Sequence, residues 1–195
     1  MKKRTLTKES VLAAAVRIVE EKGLSALSMQ ELAGALGILP SSLYNHVSGL
    51  DEAQKYIVQF ALESLIAAIR EQVLGYAGDD ALLKVAFGFR EFAVARPELY
   101  KAICLCTAVP AYKQKEEDQE LVRVLHRILG HYSLDEAQKS HFARAFRSSM
   151  HGFISLELSG GFKSTASLDE SYMLMVKQII SMLDMFKGAS QAAGG

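Results

Sequence analysis

Residues 28–47 read SMQELAGALGILPSSLYNHV, two short apolar-periodic stretches with only Gly37, Ile38 and Leu39 between them. Met29, Leu32, Ala33 and Leu36 recur at helical spacing, and so do Leu43, Tyr44 and Val47. Ser28 with Glu31 reads as a capping box that starts the first stretch, and Gly37 as its terminator. Pro40 suits the first turn of the second. A three-residue connection forces two helices to cross sharply, and the small Ala33 allows a close crossing. Something must cover their shared apolar side. The segment Lys8 to Glu21 does so, with Thr7 as N-cap, Gly23 as stop, and Val11, Leu12, Ala15, Ile18 and Val19 on one stripe.

The same punctuation divides the rest of the chain. Helices are expected over 50–76 and 80–96, the latter ending before Pro97. Others are expected over 97–106, 111–129, from a capping box of Ser133 with Glu136 to Ser159, and from a capping box of Ser167 with Glu170 to about Lys187. No strand pattern competes. With 3 Pro, 50% hydrophobic and 23% charged residues among 195, the chain has the composition of a folded helical protein. The expected fold is all-α, about nine helices. A three-helix domain occupies residues 1–50, a helical domain 51–188 and a flexible tail 189–195. No window reaches the ~18 apolar residues of a membrane span, and the start lacks a secretory pattern. The expectation is a cytoplasmic protein with no membrane partner. Cys104 and Cys106 lie two apart, on different faces of a helix, and read as buried reduced thiols.

The 22 basic and 22 acidic residues cancel, which argues at first against a partner as acidic as DNA. The balance is uneven. Residues 1–50 hold six basic residues (Lys2, Lys3, Arg4, Lys8, Arg17, Lys22) against four acidic (Glu9, Glu20, Glu21, Glu31), so +2, leaving −2 for the remainder. Two short helices about Gly37 form the pattern of a helix-turn-helix, whose second helix enters the DNA major groove. That helix offers Ser41, Ser42, Tyr44, Asn45 and His46, short polar groups that contact phosphates and base edges. Lys2, Lys3, Arg4 and Lys8 form a basic arm.

The stretch VLAAAVRIVEEKGLSALSMQELAGALGILPSSLYNHV resembles the DNA-binding domain of the TetR family of bacterial transcriptional regulators. The resemblance implies a homodimer that binds a palindromic operator in double-stranded DNA, usually as a repressor, and a C-terminal domain that binds a small-molecule effector. It implies phosphate contacts from Ser28, Ser42, Tyr44 and His46, and base-facing positions at Pro40, Ser41 and Asn45. Three positions depart from the family pattern. Leu39 stands where a capping Ser is usual, Val47 where Phe is usual, and Leu50 where a phosphate-binding Lys is common. Further on, FREFAVARPELYKAI and HGFISLELSGGF resemble family C-terminal domains, the latter the subclass known as the WHG type.

The effector pocket is expected among Phe89, Phe92, Tyr100, Ile103, Cys104, Leu125, Phe146, Met150, His151 and Phe153, with Arg90, Arg144 or Arg147 as a polar anchor. A dimer face is expected from Phe142, Ser149, Leu156, Tyr172, Val176, Ile179 and Leu183 on the last two long helices, as a four-helix bundle. No catalytic set is found: no Gly-rich phosphate loop, no nucleophile elbow, and no pair of His at i, i+4 among the five. No cofactor or metal is expected. A second function class stays open at this point, a helical carrier or enzyme for a hydrophobic ligand in which the N-terminal helices are only structural.

Overall fold

The structure, a computed structural model, describes the backbone of residues 6–108 and 117–186 and the side chains of 6–105 and 120–186. The basic arm Lys2, Lys3 and Arg4, the side chain of Cys106 and the tail lie outside the described residues. Within them the helices are α1 (Lys8–Lys22), α2 (Met29–Leu36), α3 (Pro40–Leu43), α4 (Leu50–Val73), α5 (Gly78–Ala95), α6 (Pro97–Ala108), α7 (Glu117–Leu129), α8 (Glu136–Leu158) and α9 (Leu168–Ile180). A 3-10 turn covers Leu24–Ala26, the chain is helical again over 182–186, and no strand occurs among the described residues.

They fall into two compact units. One draws on Met1–Ser64 and Arg96–Glu117, the other on Leu65–Ala95 and Asp118–Gly195. The division therefore falls inside α4 rather than at its start, and α6 joins the first unit. In that unit α1 packs on α2 and α6, and α2 on α3. Val11, Ala15, Val19, Leu32, Leu43, Ala53, Ile57 and Leu99 have no exposed surface. Arg96, just ahead of α6, pairs with Glu20 of α1 at 2.8 Å and lies over the Phe60 ring. The second unit closes over Leu82, Phe89, Leu129, Phe142, Phe146, Ile154, Tyr172 and Val176, with α5 against both α8 and α9.

The caps follow the sequence closely, with two instructive differences. Thr7 accepts from the Ser10 amide at 3.3 Å, and the Ser10 hydroxyl accepts from the Thr7 amide at 3.0 Å. Ser28 accepts from the Glu31 amide at 3.1 Å, but the Glu31 carboxylate turns to Lys22 of α1 rather than back to the cap. The α8 cap is Asp135, not Ser133. Asp135 accepts from the Gln138 amide at 2.8 Å, and Gln138 accepts from the Asp135 amide at 3.0 Å. Two capping boxes overlap in register here, Ser133 with Glu136 and Asp135 with Gln138. The chain adopts the second, so that the helix starts after Asp135. Ser167 caps α9 as expected, accepting from Glu170 at 3.2 Å.

The turn after α2 needs glycine. Gly37 has φ +67, and its amide and that of Ile38 donate to Gly34 and Ala33 at 3.1 Å each, a Schellman closure. Gly34, by contrast, lies inside α2 with no positive φ and open space where a Cβ would stand. Alanine at these two positions is expected to act in opposite directions. Gly37→Ala forces an L side chain into the left-handed region and lowers stability by about 1–2 kcal/mol. Gly34→Ala raises it by about 0.5–1 kcal/mol. Thermal midpoints of the two variants, one below and one above the parent, check this.

Candidate nucleic-acid interface and effector cavity

α3 is one turn long. Its leading residue, Leu39, makes no side-chain cap and is 72% exposed. Past Leu43 the chain stays coiled as a turn, with His46 and Val47 amides both donating to the Leu43 carbonyl at 2.8 and 3.0 Å. Leu43 and Val47 point inward and are buried, while Ser42 and His46 are half-buried beside them. The opposite side of the same turns presents Ser41, Tyr44 and Asn45, spaced i, i+3 and i+4 and all exposed. Between Leu39 and Ser48 there is no Lys, Arg, Asp or Glu. A rigid, outward, uncharged polar face is thus built on two buried anchors.

The turn into α4 is tied down by Glu52. Its carboxylate accepts from the Ser48 amide and from Lys8 Nζ, each at 2.6 Å. These bonds, the Lys8 one foremost, hold the Glu52 carboxyl down at about 2. Lys8 is therefore engaged within the protein rather than held out as part of a basic arm. Glu52 is not among the site residues expected from the sequence. Its position four residues after Ser48 was the available signal.

The second unit contains a cavity of about 130 Å³ between α5, α7 and α8. Its lining is almost wholly apolar, from Val85, Leu121, Leu125, Ala143, Phe146 and Met150, with Arg144 and Arg147 at its border. Of the residues expected at a pocket, Leu125, Phe146 and Met150 border this cavity. His151 lies beside the cavity rather than in it, edge-on to the Phe89 ring at 4.9 Å, with Arg147 Nε 3.5 Å from its Nε2. Burial, then Arg147, pushes the imidazole down to about 4, so it is neutral near pH 7. Phe153 packs on Phe162 and Tyr172. Phe92 is buried in the second unit, while buried Tyr100 and Ile103 and half-buried Cys104 belong to the first.

Arg90 is engaged in ion pairs within the chain. It holds Glu157 of α8 through two hydrogen bonds of 2.7 and 2.6 Å and Asp169 of α9 at 2.7 Å, and lies over the Tyr172 ring. Tyr172 in turn donates to the Ala86 carbonyl at 2.8 Å. Of the residues expected at a dimer face, Phe142, Tyr172, Val176, Ile179 and Leu183 are buried within their own unit. Their apolar area already serves the intrachain core. Ser149 is half-buried, and Leu156 is 50% exposed.

Comparison with known proteins identifies what carries this arrangement. Residues 11–48 match the family of bacterial regulatory proteins called tetR, and residues 82–179, half of the chain, match the tetracyclin repressor-like C-terminal domain. The chain belongs to the TetR family. Among its relatives, the uncharacterized HTH-type transcriptional regulator Rv0681 of Mycobacterium tuberculosis is 30% identical over 80% of this chain and 72% of its own length. The uncharacterized HTH-type transcriptional regulator YobS of Bacillus subtilis is 26% identical over 91% and 93%. A solved Rhodococcus structure of unknown function shares the TetR-like fold, with a TM-score of 0.76 at 18% identity over 92% of this chain and 96% of that one. The protein is therefore a transcriptional regulator with a DNA-binding helix-turn-helix, not an enzyme. No helix among the described residues is long and apolar enough to cross a membrane.

Glu52 gives the α3–α4 turn of this TetR-family protein a pH signature. A carboxyl depressed from 4.5 to about 2 adds stability that is whole above pH 4.5 and is lost as pH falls toward 2. The advantage of the parent over Glu52→Gln is expected to shrink through that window and vanish below it. Thermal midpoints measured against pH at low salt check the direction, and a constant difference between the two proteins contradicts it.

Proposed function

We propose that this chain is a ligand-responsive repressor that binds a palindromic operator as a cytoplasmic homodimer and is released by a small, largely apolar effector. The observation that carries the DNA half of this reading is the outward face of α3. Ser41, Tyr44 and Asn45 stand together on a turn whose inner side is fully buried, which is how a recognition helix must be held to meet base edges. Ser28, Ser42, Tyr44 and His46 are assigned to phosphates, and Pro40, Ser41 and Asn45 to bases. The effector half rests on the cavity between α5, α7 and α8. At about 130 Å³ it is near the volume that accommodates a single benzene-sized group. Leu125, Phe146 and Met150 are the residues assigned to the effector.

The dimer is assigned to α8 and α9, through the residues these helices leave uncovered. Ser149 and Leu156 of the expected set qualify, and on α9 so do Leu174, 68% exposed, and Met185 in the helical segment beyond it, 74% exposed. Effector binding reaches the DNA-binding unit along the chain, through α4 and the α5–α6 junction. It weakens operator affinity only if the effector binds the non-operator state more tightly.

The test uses a duplex enriched from a random-sequence library by the purified protein. In a gel-shift titration Tyr44→Phe, which removes one hydroxyl contact, is expected to lose about fivefold in affinity. Asn45→Ala is expected to lose about tenfold or more. Unchanged binding by both variants overturns the assignment of α3.

A further inference from the structure

Leu39 is the one large apolar side chain at the leading end of α3, and it is 72% exposed. A leucine there forgoes the side-chain cap that Ser, Thr, Asp or Asn gives a helix start, worth about 1 kcal/mol. It also leaves most of its apolar surface in water. Both are unfavourable in the isolated protein, and nothing packed on it in the described unit offsets them. It lies at the N-cap, two residues before Ser41, at the leading end of the helix whose exposed Ser41, Tyr44 and Asn45 are assigned above to DNA.

The chemistry of that combined surface is specific. Guanine is read in the major groove chiefly by Arg or Lys, through N7 and O6. No Arg or Lys stands between Leu39 and Ser48. Adenine is read by the side-chain amide of Asn or Gln, which donates to N7 and accepts from N6. Asn45 is such an amide, exposed on the helix face. Thymine is the only base that presents a methyl group to the major groove, and that methyl is read by apolar contact. Leu39 supplies an exposed apolar group at the leading end of the same helix, the end from which recognition helices contact base edges.

We propose that α3 reads A·T pairs, with Leu39 packed on a thymine C5-methyl and Asn45 paired to an adenine. Leu39 is thus a specificity-determining residue, and its exposure is the unbound state of a contact made to DNA. This rests on the assignment of α3 as the recognition helix.

The test starts from duplexes enriched out of a random-sequence library by the purified full chain. Each thymine of the enriched half-site is then replaced singly by deoxyuridine, which removes the methyl and keeps every Watson–Crick hydrogen bond. One such replacement is expected to lower the parent's affinity about three- to fivefold, the effect of one buried methyl. Leu39→Ser is expected to bind the thymine and uracil duplexes equally. It changes an exposed position and restores a capping hydroxyl, so its fold is retained. Three outcomes overturn the proposal: half-sites enriched in G·C under α3, affinities insensitive to every thymine replacement, or an equal loss in Leu39→Ser. In those cases the chain still selects DNA, so α3 can remain the reading helix while Leu39 is excluded. If no duplex is enriched at all, the assignment of α3 fails, and this proposal fails with it.

Discussion

A single helical turn cannot hold itself in water, since helix nucleation is unfavourable and α3 has only Pro40–Leu43 in regular geometry. Everything the DNA-binding unit does depends on how that turn is held. Leu43 and Val47 pin it from inside, at 0% and 2% exposure. Gly37 sets its approach from α2 through a left-handed turn that other residues enter only under strain. Glu52 secures its exit by capping the Ser48 amide while holding Lys8 of α1. The recognition surface is therefore a property of the surrounding scaffold, expressed through one turn.

The second unit solves a different problem with different means. A wide aromatic core is held by an ion pair that crosses three helices, with Arg90 of α5 against Glu157 of α8 and Asp169 of α9. At 13% exposure for both Arg90 and Glu157, neither charge tolerates loss of the other, because an unpaired charge in that setting is costly. Elsewhere in the same unit, α5, α7 and α8 leave the apolar cavity.

Much of this was legible in the sequence. The helix order, the caps at Thr7, Ser28 and Ser167, and the Gly37 turn follow from local chemistry, because caps and left-handed turns are decided within six residues. What sequence periodicity did not settle was which apolar side faces what. Tyr172, Val176 and Leu183 lie on the band expected to meet a second chain, yet they fill their own unit's core. An amphipathic band reads the same whether its cover comes from within the chain or from outside. The cavity is a related case. Phe89, Phe146 and Met150 are equally apolar, and only packing decides that Phe146 and Met150 border an empty volume while Phe89 is sealed against His151. Overlapping capping boxes near Ser133 show a third limit, since two registers satisfy the local rule and only the Asp135 one is used.

As proposed, this regulator meets DNA through a nearly uncharged helix face on a scaffold with little surplus charge. The salt dependence of its affinity for an enriched duplex tests that most directly. A linear fall of log affinity with log salt, at a slope of about −2 to −5, corresponds to a few phosphate contacts and is the expected result. A slope near zero means that the phosphates are not touched and contradicts the claim. So does a slope of about −8 or steeper, which would make bulk charge rather than the α3 face the main source of binding.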